Sequence, residues 1–108
     1  MNKLFYVILL SLISNTAFSE VESQCFGDTT TGSLKNGWQL PTLGKNFHAY
    51  SSIGALAGRN YVHSSVYRTV LNAYEILQNT NPKVIYIYGE TGHKEGGEFK
   101  PHKSHRNG

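Results

Sequence analysis

Two adjacent segments carry the sustained apolar patterning of this chain beyond its N-terminal leader, and they limit what it can fold into. Val62, Val66, Val70, Ala73 or Tyr74, and Leu77 recur at helical spacing, with Leu71 widening the stripe. That pattern predicts an amphipathic helix whose apolar face packs on a core. Ser64 or Ser65 can cap its start, because a serine oxygen accepts from the free amides of a first turn. Asn79 to Pro82 ends it, since proline cannot continue the hydrogen-bond ladder. Lys83 to Tyr88 follows as a strand, with Val84 through Tyr88 β-branched or aromatic and apolar residues on both faces, which predicts an interior position. One helix packed on one central strand predicts an α+β fold, a small mixed sheet with a packed helix.

The leader accounts for the start of the chain. Met1-Asn2-Lys3 brings a positive charge, Leu4 to Ile13 is apolar except for Ser11, and Ala17 and Ser19 offer the small residues of a cleavage after Ser19. This is the three-part pattern of a secretory signal peptide over residues 1–19, with an apolar run too short to span a bilayer. The mature chain, residues 20–108, then has room for one small domain of modest core. No second apolar run is long enough for a membrane span. The formal charge of +3 includes Lys3, so the mature chain is only slightly basic. Its basic residues are scattered until the C-terminal stretch, which is no footprint for nucleic acid.

From Glu20 to Gly58 the chain is polar and punctuated by Gly27-Asp28, Thr31-Gly32-Ser33, Lys35-Asn36-Gly37, Pro41 and Gly44. This reads as turns joining short extended pieces that wrap a core, anchored by Trp38, Leu40, Leu43, Phe47 and Tyr50. Cys25 is the only cysteine. In an exported chain a lone cysteine is unusual. Either it is a free thiol that burial can shelter, or its partner lies in sequence outside this chain.

Gly89 to Gly108 shows no apolar periodicity, and a stretch this long in a small domain is either functional or disordered. It holds three histidines, His93, His102 and His105. His102 and His105 stand three apart, so that in a helical turn they would project to one side within reach of a single ion, and imidazole suits zinc, copper and nickel. Composition alone favours solvated side chains for such a pair, and His48, His63 and His93 carry less weight still. Other catalytic patterns are excluded more firmly. There is no HExxH, nothing near Cys25 suggests an activating histidine, Ser104 beside His105 is adjacency rather than a triad, and the glutamates show no pairing suited to glycoside hydrolysis.

Four stretches, in order, resemble one family. They are Gly32-Ser33-Leu34-Lys35-Asn36-Gly37, then Arg59-Asn60-Tyr61-Val62-His63 leading into the helix, then the helix and the strand Lys83 to Tyr88, and finally Gly96-Gly97-Glu98-Phe99 with His102-Lys103-Ser104-His105-Arg106-Asn107-Gly108. The last is the specific one, similar to a Gly-Gly-x-Phe…His-x-Ser-His-x-x-Gly segment. Together they resemble the N-terminal part of the penicillin-insensitive murein endopeptidases, exported zinc peptidases of the LAS type. The resemblance implies that residues 20–108 are the N-terminal part of a single murein endopeptidase domain with a LAS-type metallopeptidase core. It implies a periplasmic location, and Zn2+ as cofactor. The implied substrate is the peptidoglycan cross-link peptide joining D-alanine to diaminopimelate.

Residue by residue, His105 matches the family's first zinc ligand. His102 matches the histidine beside it, placed to support the ligand or face the substrate, or to serve as a further metal contact. In the family an aspartate ligand and a later histidine ligand follow, and the resemblance puts both beyond Gly108. By the same likeness Cys25 is matched to a family disulfide cysteine. A catalytic zinc takes three protein ligands and an open position for the water it activates. The expectation is therefore a chain truncated at its C-terminus, an inactive fragment of a zinc metalloendopeptidase with no complete set of catalytic residues. The alternatives are a non-catalytic periplasmic protein that binds peptidoglycan or metal, and a secreted structural domain whose histidines are merely solvated.

Overall fold

Apolar residues are too sparse between Val21 and Gly58 to support long strands, and the segment forms short ones. The computed structural model describes residues 21–108, so the leader expected over 1–19 lies outside the described residues. In chain order the elements are β1 (Gln24–Phe26), β2 (Ser33–Lys35), β3 (Trp38–Gln39), β4 (Phe47–Ala49), α1 (Ser52–Leu56), β5 (Tyr61–Val62), α2 (Ser64–Thr80) and β6 (Tyr86–Tyr88). The fold is α+β, as the patterning predicts. Its strands do not join one sheet among the described residues. They form three two-stranded ladders, β1 with β2 and β3 with β5 antiparallel, and β4 with β6 parallel.

The β1–β2 connection is built by Asp28. Its Oδ1 accepts from the backbone amides of Thr30 at 2.9 Å and Thr31 at 2.7 Å, and from both threonine hydroxyls. An aspartate gripping the backbone two and three residues on is a turn-former, because it offers the local amides an acceptor in place of a ladder.

Helix α2 forms with the expected inner face and departs from expectation at its start and at Val66. His63, not a serine, caps it, its Nδ1 accepting from the Ser65 amide at 3.0 Å. Ser64 turns inward and is fully buried. There it exchanges hydrogen bonds with Ser23, amide to hydroxyl in both directions at 3.0 and 2.9 Å, and donates to Glu22. The inner face carries Tyr67, Val70, Leu71 and Tyr74, packed on a core of Leu40, Phe47, Val62 and Tyr88. Val66 stands on the exposed side. The aromatic rings decide the rotation. Tyr74 stacks on Phe47 with centroids 4.4 Å apart, and Tyr67 meets Trp38 edge-on at 5.3 Å. Such pairs bury more area per residue than a valine stripe does.

Of the N-terminal anchors, Leu40 and Phe47 enter the core and Trp38 is half-buried, whereas Leu43 and Tyr50 face solvent. The strand expected over 83–88 is shorter than its composition suggests. Val84 is held in the preceding turn, its amide donating to Asn81 O at 3.1 Å. Only Tyr86–Tyr88 pairs, with β4 as its one partner among the described residues. Ile85 and Ile87 are exposed, so the strand is not interior here.

Two of the ladders, β3–β5 and β4–β6, are joined by Asn60, which is 3 % exposed. Its Nδ2 donates to Leu40 O at 3.0 Å and to the Tyr88 hydroxyl at 3.2 Å, and its Oδ1 accepts from Gln39 Nε2 at 2.9 Å. Tyr88 in turn donates to Pro41 O at 2.8 Å. One amide thus ties β3 to β6 across the core. Replacing Asn60 with alanine leaves a buried carbonyl and hydroxyl short of a partner, at a cost of about 1–3 kcal/mol. Urea denaturation of Asn60→Ala should show a loss in that range, and an unchanged midpoint would remove Asn60 from this role.

Candidate functional site

The stretch from Gly89 to Gly108 has no apolar period, yet it is fastened by its backbone. Thr91 N donates to Arg59 O and Tyr61 N to Gly92 O, both at 3.0 Å, which lays the loop along β5. Further on, Leu34 N reaches Glu95 O at 2.8 Å and Gly37 N reaches Lys94 O at 3.2 Å, which lays it along β2. Gly97 N donates to Arg106 O at 2.9 Å, folding the loop back on itself. Gly96 takes φ +67° against Ser33, where a Cβ would strike Arg106 O and the Leu34 amide. Only glycine fits that backbone approach.

At the centre of this loop lies Phe99, 1 % exposed. Around its ring stand His102, stacked at 5.1 Å between centroids, His93 edge-on at 4.8 Å, and His105 edge-on at 5.9 Å. The Arg59 guanidinium sits 4.1 Å from the ring centroid. A buried aromatic thus gathers the three histidines of the loop into one place. The centroids of His102 and His105 are 5.5 Å apart. They do not share a helical turn, and His105 takes a left-handed backbone at φ +51°.

Arg59 and Glu90 complete the cluster. Glu90 follows the glycine that ends β6, and Arg59 precedes β5. Arg59 Nε and a terminal nitrogen donate to the two Glu90 oxygens at 2.7 Å each, the two-point geometry in which guanidinium matches carboxylate. The same terminal nitrogen reaches Lys100 O at 2.6 Å. His102 Nε2 lies 3.0 Å from Glu90 Oε2. The hydrogen bonds from Arg59 above all, then that from His102, hold the Glu90 carboxyl well below its ordinary 4.5, at about 2, against the opposing effect of desolvation.

The other candidate donors make contacts of their own away from this pair. Nδ1 of His93 contacts Gly58 O at 3.2 Å, that of His48 contacts Ala49 O at 2.9 Å, and His63 caps α2. Cys25, opposite Leu34 in the β1–β2 ladder, is exposed rather than sheltered. As donors, the imidazoles of His102 and His105 suit zinc. Among the described residues no group of three histidine, cysteine or carboxylate side chains converges on one point. Among the described residues the imidazoles thus match zinc in donor chemistry, without a third side chain beside them to complete a catalytic centre.

Arg59 and Glu90 were not legible as site residues. Arg59 stood out only as part of a stretch, and Glu90 only as one glutamate in a polar loop. The available signal was position, since an acidic residue just past the single apolar strand lies at a strand's carboxyl end, where open sheets tend to carry their sites. No known family model matches the chain, and no curated protein matches it in sequence.

Two outcomes follow from this geometry. Phe99→Ala removes the ring on which the histidines rest and should destabilise the protein by about 3–5 kcal/mol, read by chemical denaturation; a change below about 1 kcal/mol would show that Phe99 is not a core residue. The second concerns acid. Because the folded Glu90 value is depressed, its contribution is present above about pH 4.5 and is lost as pH falls toward 2. Asp28, also held at about 2 by the turn amides and hydroxyls of Thr30 and Thr31, adds to the same loss. Stability measured across that window should fall less steeply in Glu90→Gln than in the wild type, and parallel curves would deny the ion pair any contribution.

Proposed function

We propose that this chain is the N-terminal part of a zinc-dependent murein endopeptidase of the LAS type, exported to the periplasm, with His105 its first zinc ligand and His102 the supporting neighbour. The observation that carries the proposal is the gathering of both rings, 5.5 Å apart, against one buried phenylalanine in a loop otherwise fastened by glycines. A loop that merely solvated its histidines would not need to order them around an aromatic ring. Also in favour is the carboxylate on His102 Nε2, because histidines at metal sites characteristically give their second nitrogen to a carboxylate or carbonyl. The substrate class, the peptide cross-links of peptidoglycan, rests on the family resemblance alone.

In this proposal the residues of the chain bind and orient. His105 offers a nitrogen to the metal, Phe99 fixes the planes of the rings, and Arg59 with Glu90 holds His102. Zinc, when bound by a full ligand set, supplies a water activated for attack on an amide. One imidazole with a second beside it holds zinc weakly, so residues 20–108 by themselves are expected to bind the ion loosely at best, without cleaving the cross-link.

Calorimetric titration with zinc tests the ligand. His105→Ala should weaken binding at least about tenfold, the lower end of what even an outer partner of a metal site contributes. Equal heats in both proteins would remove His105 from the metal. Incubation with cross-linked muropeptides and zinc, followed by chromatography, tests catalysis. Products abolished by a chelator would overturn the expectation that these residues are inactive alone, whereas zinc binding without products also fits a non-catalytic metal-binding protein.

A further inference from the structure

Glu90 uses its two oxygens unequally. Oε1 takes Arg59 Nε at 2.7 Å, while Oε2 takes both the Arg59 terminal nitrogen at 2.7 Å and His102 Nε2 at 3.0 Å. The guanidinium is itself fixed at two further points, Lys100 O at 2.6 Å and the face of Phe99 at 4.1 Å. Lys100 lies two residues before His102, so the group that grips Glu90 also grips the backbone carrying that histidine. Phe99 sets the plane of the His102 ring by stacking, with 21° between the planes. Glu90 sets its rotation within that plane. Among the described residues the other ring nitrogen, Nδ1, makes no hydrogen bond.

An ionised carboxylate only accepts, so the hydrogen of this contact belongs to Nε2. We propose that Glu90, gripped by Arg59, is a positioning residue that fixes His102 as its Nε2–H tautomer and leaves Nδ1 as the one open lone pair of that ring. This rests on the assignment of residues 102–105 as the functional site, and it defines what His102 can do there. Whether it takes a proton or contacts a metal, it does so through Nδ1. The arrangement is more specific than a structural staple, for which the Arg59–Glu90 pair would suffice without the histidine.

The test is nitrogen-15 NMR of the imidazoles in the whole chain without added metal, at a pH roughly two units above the ordinary histidine value so that the ring is neutral. His102→Gln assigns the signal. The wild type should show His102 with its proton on Nε2 and that proton slow to exchange with water. Glu90→Ala should speed the exchange roughly tenfold or more, as expected for loss of a hydrogen bond to a charged group. Glu90→Gln, which keeps an acceptor oxygen, should restore much of the protection. Arg59→Lys keeps a charge opposite Glu90 without the two-point grip and should give an intermediate rate, which supplies a reading if Glu90→Ala does not fold. A proton on Nδ1 in the wild type, or protection unchanged by Glu90→Ala or by Arg59→Lys, would overturn the proposal. Because no metal is present, failure of zinc to bind would sink the metal assignment and leave the tautomer result standing.

Discussion

Asn60 links ladders that are too short to be joined through strand pairing. Ladders of two or three residues have few backbone bonds each, and two-stranded pairs are marginal in water. In this chain the missing continuity is supplied by one buried amide that bonds to β3, to the residue following it and to β6. Polar groups at such depth are costly unless satisfied. A fully bonded amide therefore does what another apolar residue could not: it fixes β3 relative to β6, and with them the starting points of the segments that carry Arg59 and Glu90.

From those starting points the site follows. Arg59 leaves β5 on one side and Glu90 leaves β6 on the other, and their ion pair closes over Phe99. The ring then does for the loop what a core does for a domain. It gives a segment with no apolar period one buried residue to organise around, and the histidines are what it organises. Side-chain exposure of 20 % for Arg59 and 30 % for Glu90 leaves the pair partly wet. Its value is therefore directional rather than a large addition to stability.

The parts legible in the sequence were those with a period. Helix α2 and the α+β class could be read from Val70, Leu71 and Tyr74, and the turn at Asp28 from its residue types. What was not legible is that Val66 falls outside the buried face of α2, because the edges of that face are set by Phe47 and Trp38, aromatic partners distant in sequence. The strand at 83–88 differs from its patterning for a related reason. Two apolar faces predict two buried faces, but Ile85 and Ile87 are more than half exposed among the described residues. The histidine loop was legible as chemistry and not as geometry. The spacing of His102 and His105 suggested a helical turn, whereas their proximity comes from a left-handed residue and a shared aromatic neighbour.

This origin of the proximity bears on what the site can bind. The rings are oriented by carbon contacts, a carboxylate and backbone bonds that the chain itself supplies. Binding to such a site does not have to bear the entropy of ordering its donors, a cost that otherwise subtracts from affinity. For the zinc site proposed above, affinity would then be limited by the number of donors and not by their disorder. A third donor brought to the same place would act on rings already positioned, so its effect would be close to that of the added bond itself. In a chain where the histidines were ordered only by the metal, the same donor would also have to offset the freezing of a flexible loop.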